Sequence, residues 1–313
     1  MELAVAILAS LDFKGFGPRT VEKIIATGMV AESQSVEDLF NRAKKKGAKV
    51  PEVSRHECLV AEDTAKDILA KCAKLGCSYI HKWLPDFPAL FRNIPNAPIA
   101  IYAMGAPSAL QKECVAIVGT RSPTEFGYKS GLRIAGRAVQ ENFVVVSGLA
   151  EGCDTAAHVG TLDAGGTTVA ILAHGFGTIY PPSNKGLAEQ ILATGGCLVT
   201  EYPPGEPGHP TKFVARDRLQ SGLSLGTIVI ETDIEGGTMH TVKFTKDQGR
   251  VLGAVKHPPS LLAEPKTQGN QKLISEGLAI PIANSEDLAA FFKTVRRSSG
   301  QVSGSSPIRN ELF

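Results

Sequence analysis

Five short stretches of this chain combine glycine with hydroxyl or charged residues: Gly119-Thr120-Arg121, Ser147-Gly148, His174-Gly175-Phe176-Gly177, Glu201-Tyr202-Pro203-Pro204-Gly205, and Glu231 followed by Glu235-Gly236-Gly237-Thr238. Glycine lets backbone N–H groups approach a ligand closely, and a glycine turn that opens a helix offers those groups, with the positive end of the helix dipole, to an anion. Arg121 adds a planar fork of donors suited to a phosphate. A second basic group, Lys212, Arg216 and Arg218, stands where a helix is expected to start. Cations are disfavoured there by the dipole, so charge placed against that cost points to an anionic ligand. The expected phosphate-binding set is therefore Gly119, Thr120, Arg121, Ser147, Gly148, Lys212, Arg216, Arg218, Gly236, Gly237 and Thr238. Phe176, Tyr202 and Phe213 are the candidates for stacking. His158, His174 and His240 fit no fixed Ser-His-Asp spacing. Binding without catalysis, cofactor or metal is the expectation.

The elements that must position these residues alternate regularly. Strand-like runs occur at 114–118, 143–147, 168–172, 197–201, 227–231 and 251–255, with helix-like segments at about 125–141, 153–164, 184–193, 213–223 and 239–248. Such alternation with short connections implies an α/β fold, an extended Rossmann-like doubly wound parallel sheet. All strand-end turns then emerge on one edge, around one cleft, where a polyanion crossing the edge would meet both the glycine turns and the basic helix. Asp154 is expected to order the Ser147 turn, and His158 to make a structural hydrogen bond.

The 313 residues are 43% hydrophobic and 20% charged, enough to bury a large core, and the net charge of +2 argues neither for nor against nucleic acid. The start lacks a basic leader and no apolar run is long enough to span a bilayer, so a cytoplasmic protein is expected. Six cysteines without a Cys-x-x-Cys pair read as reduced structural thiols. Residues 1–80 read as a small helical domain whose Lys14 to Thr20 segment resembles a helix-hairpin-helix, a module that serves either for packing or for presenting N–H groups to a DNA phosphate; these residues leave both open. The proline-rich stretch 81–110 reads as a connector ending in an edge strand near Ile99 to Gly105. The main domain is expected over 111–295, closing with a helix from Ser285 to Val295, and the Ser- and Gly-rich tail 296–313 is expected to be disordered.

Several long motifs in order, Val115 to Arg121, Val146 to His158, Ile179 to Asn184, Phe213 to Ser224, Asp247 to Arg250 and Gly269 to Gly277, resemble the DNA-processing protein A family, also called Smf. That resemblance implies an extended Rossmann fold that binds single-stranded DNA, usually as a homodimer, and helps load a RecA-type recombinase during DNA uptake. It places Gly119, Arg121, Ser147 and Gly148 in phosphate-facing turns, Lys212, Arg216 and Arg218 in a basic helix start, and Gly237 and Thr238 near a Gly-Ser turn. The chain departs from the pattern at Asp217, where an acid replaces a neutral amide between two arginines, and at Ala173 to Gly177 and Met239 to Thr241. A C-terminal winged helix, carried by many members, is not visible.

Those departures fit a second reading, a regulator or antitoxin in phage defence with a toxin-like partner protein. A nucleotide hydrolase of the lysine-decarboxylase-like type would share the fold, but Gly236-Gly237-Thr238 is followed by Met239, His240 and Thr241 rather than by a carboxylate.

Overall fold

The computed structural model describes residues 1–302 apart from Pro51. Four helices come first: α1 (Leu3–Leu11), α2 (Pro18–Ile25), α3 (Val36–Lys45) and α4 (Arg55–Leu75). Their starts follow from local chemistry. Pro18 opens α2, Ser35 accepts a hydrogen bond from Asp38 N at the head of α3, and Ser54 and Glu57 form a reciprocal capping box on α4.

The remainder builds one nine-stranded sheet. Its elements are β1 (Cys77–His81), α5 (Ala89–Arg92), β2 (Ala100–Gly105), β3 (Cys114–Val118), α6 (Glu125–Gln140), β4 (Val144–Ser147), α7 (Cys153–Asp163), β5 (Thr168–Ile171), α8 (Lys185–Ala193), β6 (Cys197–Thr200), α9 (Pro210–Gly222), β7 (Gly226–Val229), α10 (Thr238–Asp247), β8 (Val251–Val255), α11 (Pro265–Ser275), β9 (Ile280–Ile282) and α12 (Ser285–Val302). The strand order is β1-β2-β6-β5-β4-β3-β7-β8-β9, parallel from β6 to β9 and antiparallel for β1 and β2. The doubly wound expectation holds, with the first strand of the series, β3, central.

Two sequence expectations change. The run at 99–105 is not an edge strand: β2 lies between β6 and β1, whose register pairs Ile80 with Ile101. The prolines flank β2 rather than interrupt it, so its ladder can form on both sides. The last helix continues through the expected start of the tail to Val302, because the Ser-rich segment after Arg297 contains no proline and sets no stop before it. Residues 303–313 of the expected disordered tail lie outside the described residues.

Burial follows the two-faced geometry. Every residue of β3 is buried, with Val115 and Ile117 packed among Ile134, Ala138, Phe291 and Phe292 on one side. On the other side Cys114 joins Leu219 of α9 and Leu223 just past its end, and Val118 joins Val242 of α10 and Leu273 of α11. Continuous apolar strands of this kind need helices on both faces. The N-terminal helices share a core with the sheet: Ile7, Phe40 and Cys72 belong to one apolar cluster with Leu172, Ile191 and Leu198. No helix among the described residues is long and apolar enough to cross a membrane.

Candidate functional site

The chain runs outward from β3 through β4, β5 and β6, then returns to β7 on the other flank of β3. The turns after β3 and β7 therefore diverge and leave a crevice at the carboxyl ends of the strands, the place where such sheets receive ligands. A cleft of about 940 Å³ occupies that place.

The turn after β3 is held from below. Thr120 N donates to Glu231 O at 2.8 Å, and Cys153 N donates to Thr120 O at 3.1 Å. A Cβ on Gly119 would lie 2.5 Å from Cys153 Sγ, so the close approach of this turn to α7 admits only glycine. The Glu231 side chain, wholly buried, accepts hydrogen bonds from Thr124 N at 2.7 Å and Thr124 Oγ1 at 2.6 Å, and its Oε1 lies 3.3 Å from His257 Nε2. Burial favours its neutral form, yet the hydrogen bonds from His257 and Thr124 prevail and hold it below the usual carboxylate range.

The turn after β4 has a different clamp. Ser147 Oγ donates to Ile117 O at 2.7 Å, and the Asp154 carboxylate accepts from Gly148 N at 3.1 Å and Ala150 N at 3.4 Å. Asn184 Nδ2 donates to Leu149 O, Ala150 O and Thr155 Oγ1. Asp154 thus orders the Ser147 turn as expected, while Gly152 caps the helix that carries it, without a side-chain bond. His158 makes its structural hydrogen bond to Thr168 Oγ1 at 2.7 Å. Burial, with Arg216 nearby, pushes its pKa down to about 3, so it is neutral.

The basic segment is placed otherwise than the sequence suggests. Arg216 is only 5% exposed. Its guanidinium donates to Gly148 O at 2.7 Å, to Ile171 O and to Asp217 Oδ1 at 3.2 Å, so it closes the underside of the turns rather than standing free above them. A Cβ on Gly148 would overlap that guanidinium. The helix begins at Pro210, which carries Arg216 nearly two turns inward from the start. Lys212 pairs with Glu206 at 2.5 Å and lies 4.9 Å from the Tyr202 ring centre; Arg218 pairs with Glu201 at 2.6 Å and donates to Asn96 O at 3.0 Å. These two flank the cleft with partners already in hand.

Arg121 is exposed and forms no ion pair among the described residues; its guanidinium lies 5.3 Å from the Phe213 ring centre. Phe213 meets Tyr180, half-exposed, at 5.5 Å and 58°. Gly236, Gly237 and Thr238 line the opposite wall, with Gly237 as N-cap of α10. That wall is fixed by Asn270, fully buried, which accepts from Thr232 N at 3.0 Å and donates to Val229 O, Ile230 O and Val255 O. The crevice therefore brings together Gly119, Thr120, Arg121, Arg216, Gly236, Gly237 and Thr238, with Gly148 in a smaller recess beside it, while Ser147, Lys212 and Arg218 do not line it.

Of the stacking candidates, Phe213 lines the cleft, Phe176 is buried in the core and Tyr202 carries Lys212. Sequence reasoning missed Tyr180 and the clamps Glu231, Asn184 and Asn270. The two asparagines stand inside the quoted motifs, yet nothing in the spacing says that each must reach three backbone or hydroxyl oxygens of other elements. Among the described residues no group of His, Cys, Asp and Glu is placed to hold a metal ion.

The model of the DNA recombination-mediator protein A family matches residues 78–293. Protein Smf of Synechocystis sp. is 35% identical over 211 residues, 66% of this chain and 52% of that protein; DNA processing protein DprA of Streptococcus pneumoniae is 33% identical over 205 residues, 66% and 71%. The chain thus spans about half the length of the first relative and seven tenths of the second. The X-ray structure of the Streptococcus pneumoniae protein superposes with a TM-score of 0.75 at 26% identity, over 93% of this chain and 98% of that one. DNA processing protein A of Helicobacter pylori, whose structure describes a single-stranded DNA binding mode, gives 0.61 at 25% identity over 71% of this chain and 96% of that one. The fold, the switch-point crevice and the length of the match agree, and the chain belongs to the DNA recombination-mediator protein A family.

Proposed function

We propose that this protein binds single-stranded DNA along the crevice between the turns after β3 and β7, and acts in DNA processing by binding rather than by catalysis. The observation that carries the reading is the rim: an exposed Arg121, in no ion pair among the described residues, faces the glycine-opened N-terminus of α10 across a cleft at the switch point. The strand's phosphates supply most of the affinity, and Lys212 and Arg218 exchange their carboxylate partners for phosphates as the strand passes. The single-stranded DNA binding mode described for the Helicobacter pylori relative supports the same use of the fold. Buried, neutral His158 and a His174 ring held between Gly175 O and Tyr180 N fit structural roles rather than a general base. Assembly as a homodimer in the cytoplasm and loading of a RecA-type recombinase during DNA recombination and uptake complete the reading, supported by family membership.

The test is fluorescence anisotropy of a labelled oligothymidylate against the matching duplex at two salt concentrations, for the wild type and Arg121→Ala. The expected result is a salt-sensitive preference for the single strand, with the slope of log affinity on log salt falling by about 0.7 per lost phosphate contact in the variant. Equal slopes for the two proteins, or no binding, would overturn the site.

A further inference from the structure

We infer that the floor of the cleft holds a guanine-selecting subsite, in which the Asp217 carboxylate accepts hydrogen bonds from the N1–H and N2–H₂ groups of a guanine base whose phosphate lies at the Arg121 rim. This rests on the single-strand reading and adds a base preference to it.

Asp217 lines the cleft, and its side chain retains 15% exposure. One oxygen, Oδ1, receives Arg216 Nε at 3.2 Å; the other takes no hydrogen bond from the described residues. An ionised carboxylate is acceptor-only, so its open oxygen seeks a donor from the ligand. A phosphate offers none and is repelled. The part of a nucleotide that fits against Asp217 is the base, with the phosphate displaced toward Arg121 and the α10 N-terminus.

The walls suit that arrangement. Phe213 precedes Asp217 by one turn on the same face of α9, Arg121 lies over Phe213, and Tyr180 packs beside it. A base resting on this aromatic and guanidinium surface turns its edge to the carboxylate. Guanine alone among the four bases has two adjacent donors on its Watson–Crick edge. Adenine and cytosine set one amine beside a ring-nitrogen acceptor, and thymine flanks its single N–H with two carbonyl oxygens, so each brings a lone pair against the carboxylate.

The charged and titratable groups facing Asp217 are Arg216 on its own helix, Asp154 on α7 and Arg121 from the turn after β3, with His174, His209, Asp233 and His240 on the cleft walls. Burial, opposed by Arg216, pushes the Asp217 acid up to about 6. Below that pH it gains a proton and loses an acceptor, so discrimination weakens.

The experiment compares labelled oligothymidylates carrying one central dG, dA, dC or dT, by anisotropy, for the wild type and Asp217→Asn at pH 8 and pH 5. The dG strand is expected to bind wild-type protein about tenfold tighter than the others at pH 8, as for one good bidentate base contact. The gap should close to within about threefold at pH 5 and in Asp217→Asn. Equal affinity of the four strands, or an unchanged gap in the variant, overturns the subsite while leaving the single-strand reading intact; failure of the unsubstituted strand to bind overturns that reading itself. Calorimetry with dGMP and dAMP separates the sources. Tight, Asp217-dependent binding of dGMP by a protein that binds no strand would assign the guanine to a free nucleotide and overturn its place in DNA.

Discussion

Replacing Arg216 by alanine distinguishes a ligand contact from a structural tie. The guanidinium is buried beneath the turns after β4 and β5, where it donates to Gly148 O, Ile171 O and Asp217 Oδ1 and lies near Asp154. Removal leaves two strand-end carbonyls without their donor and two carboxylates without their cation. Each unsatisfied buried acceptor costs about 1–3 kcal/mol, and breaking a buried ion pair about 3–5 kcal/mol. Water entering from the adjacent cleft relieves part of this, so about 3–5 kcal/mol in total is expected. At about 2 °C per kcal/mol for a chain of this length, Tm should fall by roughly 6–10 °C. The pH dependence has a definite sign. Burial raises the folded-state pKa of Asp154 and Asp217 above 3.8, and Arg216 opposes that rise in both. Without it they rise further, both acids bind protons on folding, and acid relieves the penalty. The Tm deficit of Arg216→Ala should therefore be largest at pH 8 and shrink toward pH 5, measured by scanning calorimetry across that range. A variant with wild-type Tm at every pH and weakened binding of single-stranded DNA would refute the buried placement and restore Arg216 as a phosphate ligand.

Asp217→Asn should act in the opposite direction: because burial raises this acid from 3.8 to about 6, its ionisation costs stability above pH 6, and the variant should be more stable by on the order of 1–3 kcal/mol at pH 8 with the difference gone by pH 4, as read from denaturant midpoints. Asn270→Ala loses four hydrogen bonds in a fully buried site and should cost about 2–4 kcal/mol in urea unfolding, while Asn270→Asp, which keeps the acceptor for Thr232 N but loses the donors, should be no better. All six cysteines are buried and free, with burial pushing Cys58 up to about 11 and Cys114 and Cys197 up to about 12, so a thiol reagent at pH 8 should label the native protein slowly and six thiols at once in denaturant.

Much of this architecture is visible in the sequence because strands such as Cys114–Val118 are apolar throughout and end in glycine turns, and period alone then fixes strand, turn and helix. The crevice is visible for the same reason, since parallel strands send their turns to one edge. What spacing cannot convey is side-chain direction across elements. Lys212, Arg216 and Arg218 share one basic segment, yet four residues of separation place Arg216 under the sheet edge and Lys212 beside Glu206. β1 escaped notice because Cys77–His81 is short and abuts a long helix, so its signature is the pairing of His81 with Ala100 and of Cys77 with Met104. Glu231 reads as a strand-end acid; that it holds Thr124 across 107 residues is a property of the folded chain alone.

The clamps formed by Glu231, Asp154, Asn184, Arg216 and Asn270 share one feature: each is a side chain bonded to the backbone of a turn it does not itself belong to. The rim is accordingly a mould set before any ligand arrives. On the single-strand reading proposed above, most of the conformational freedom lost on binding is lost by the nucleic acid, which must bend to turns already held in place. Affinity across strands of equal length and charge becomes a measure of how readily each strand gives up its own stacking, and a supple thymine-rich tract has less to surrender than a stacked adenine-rich one.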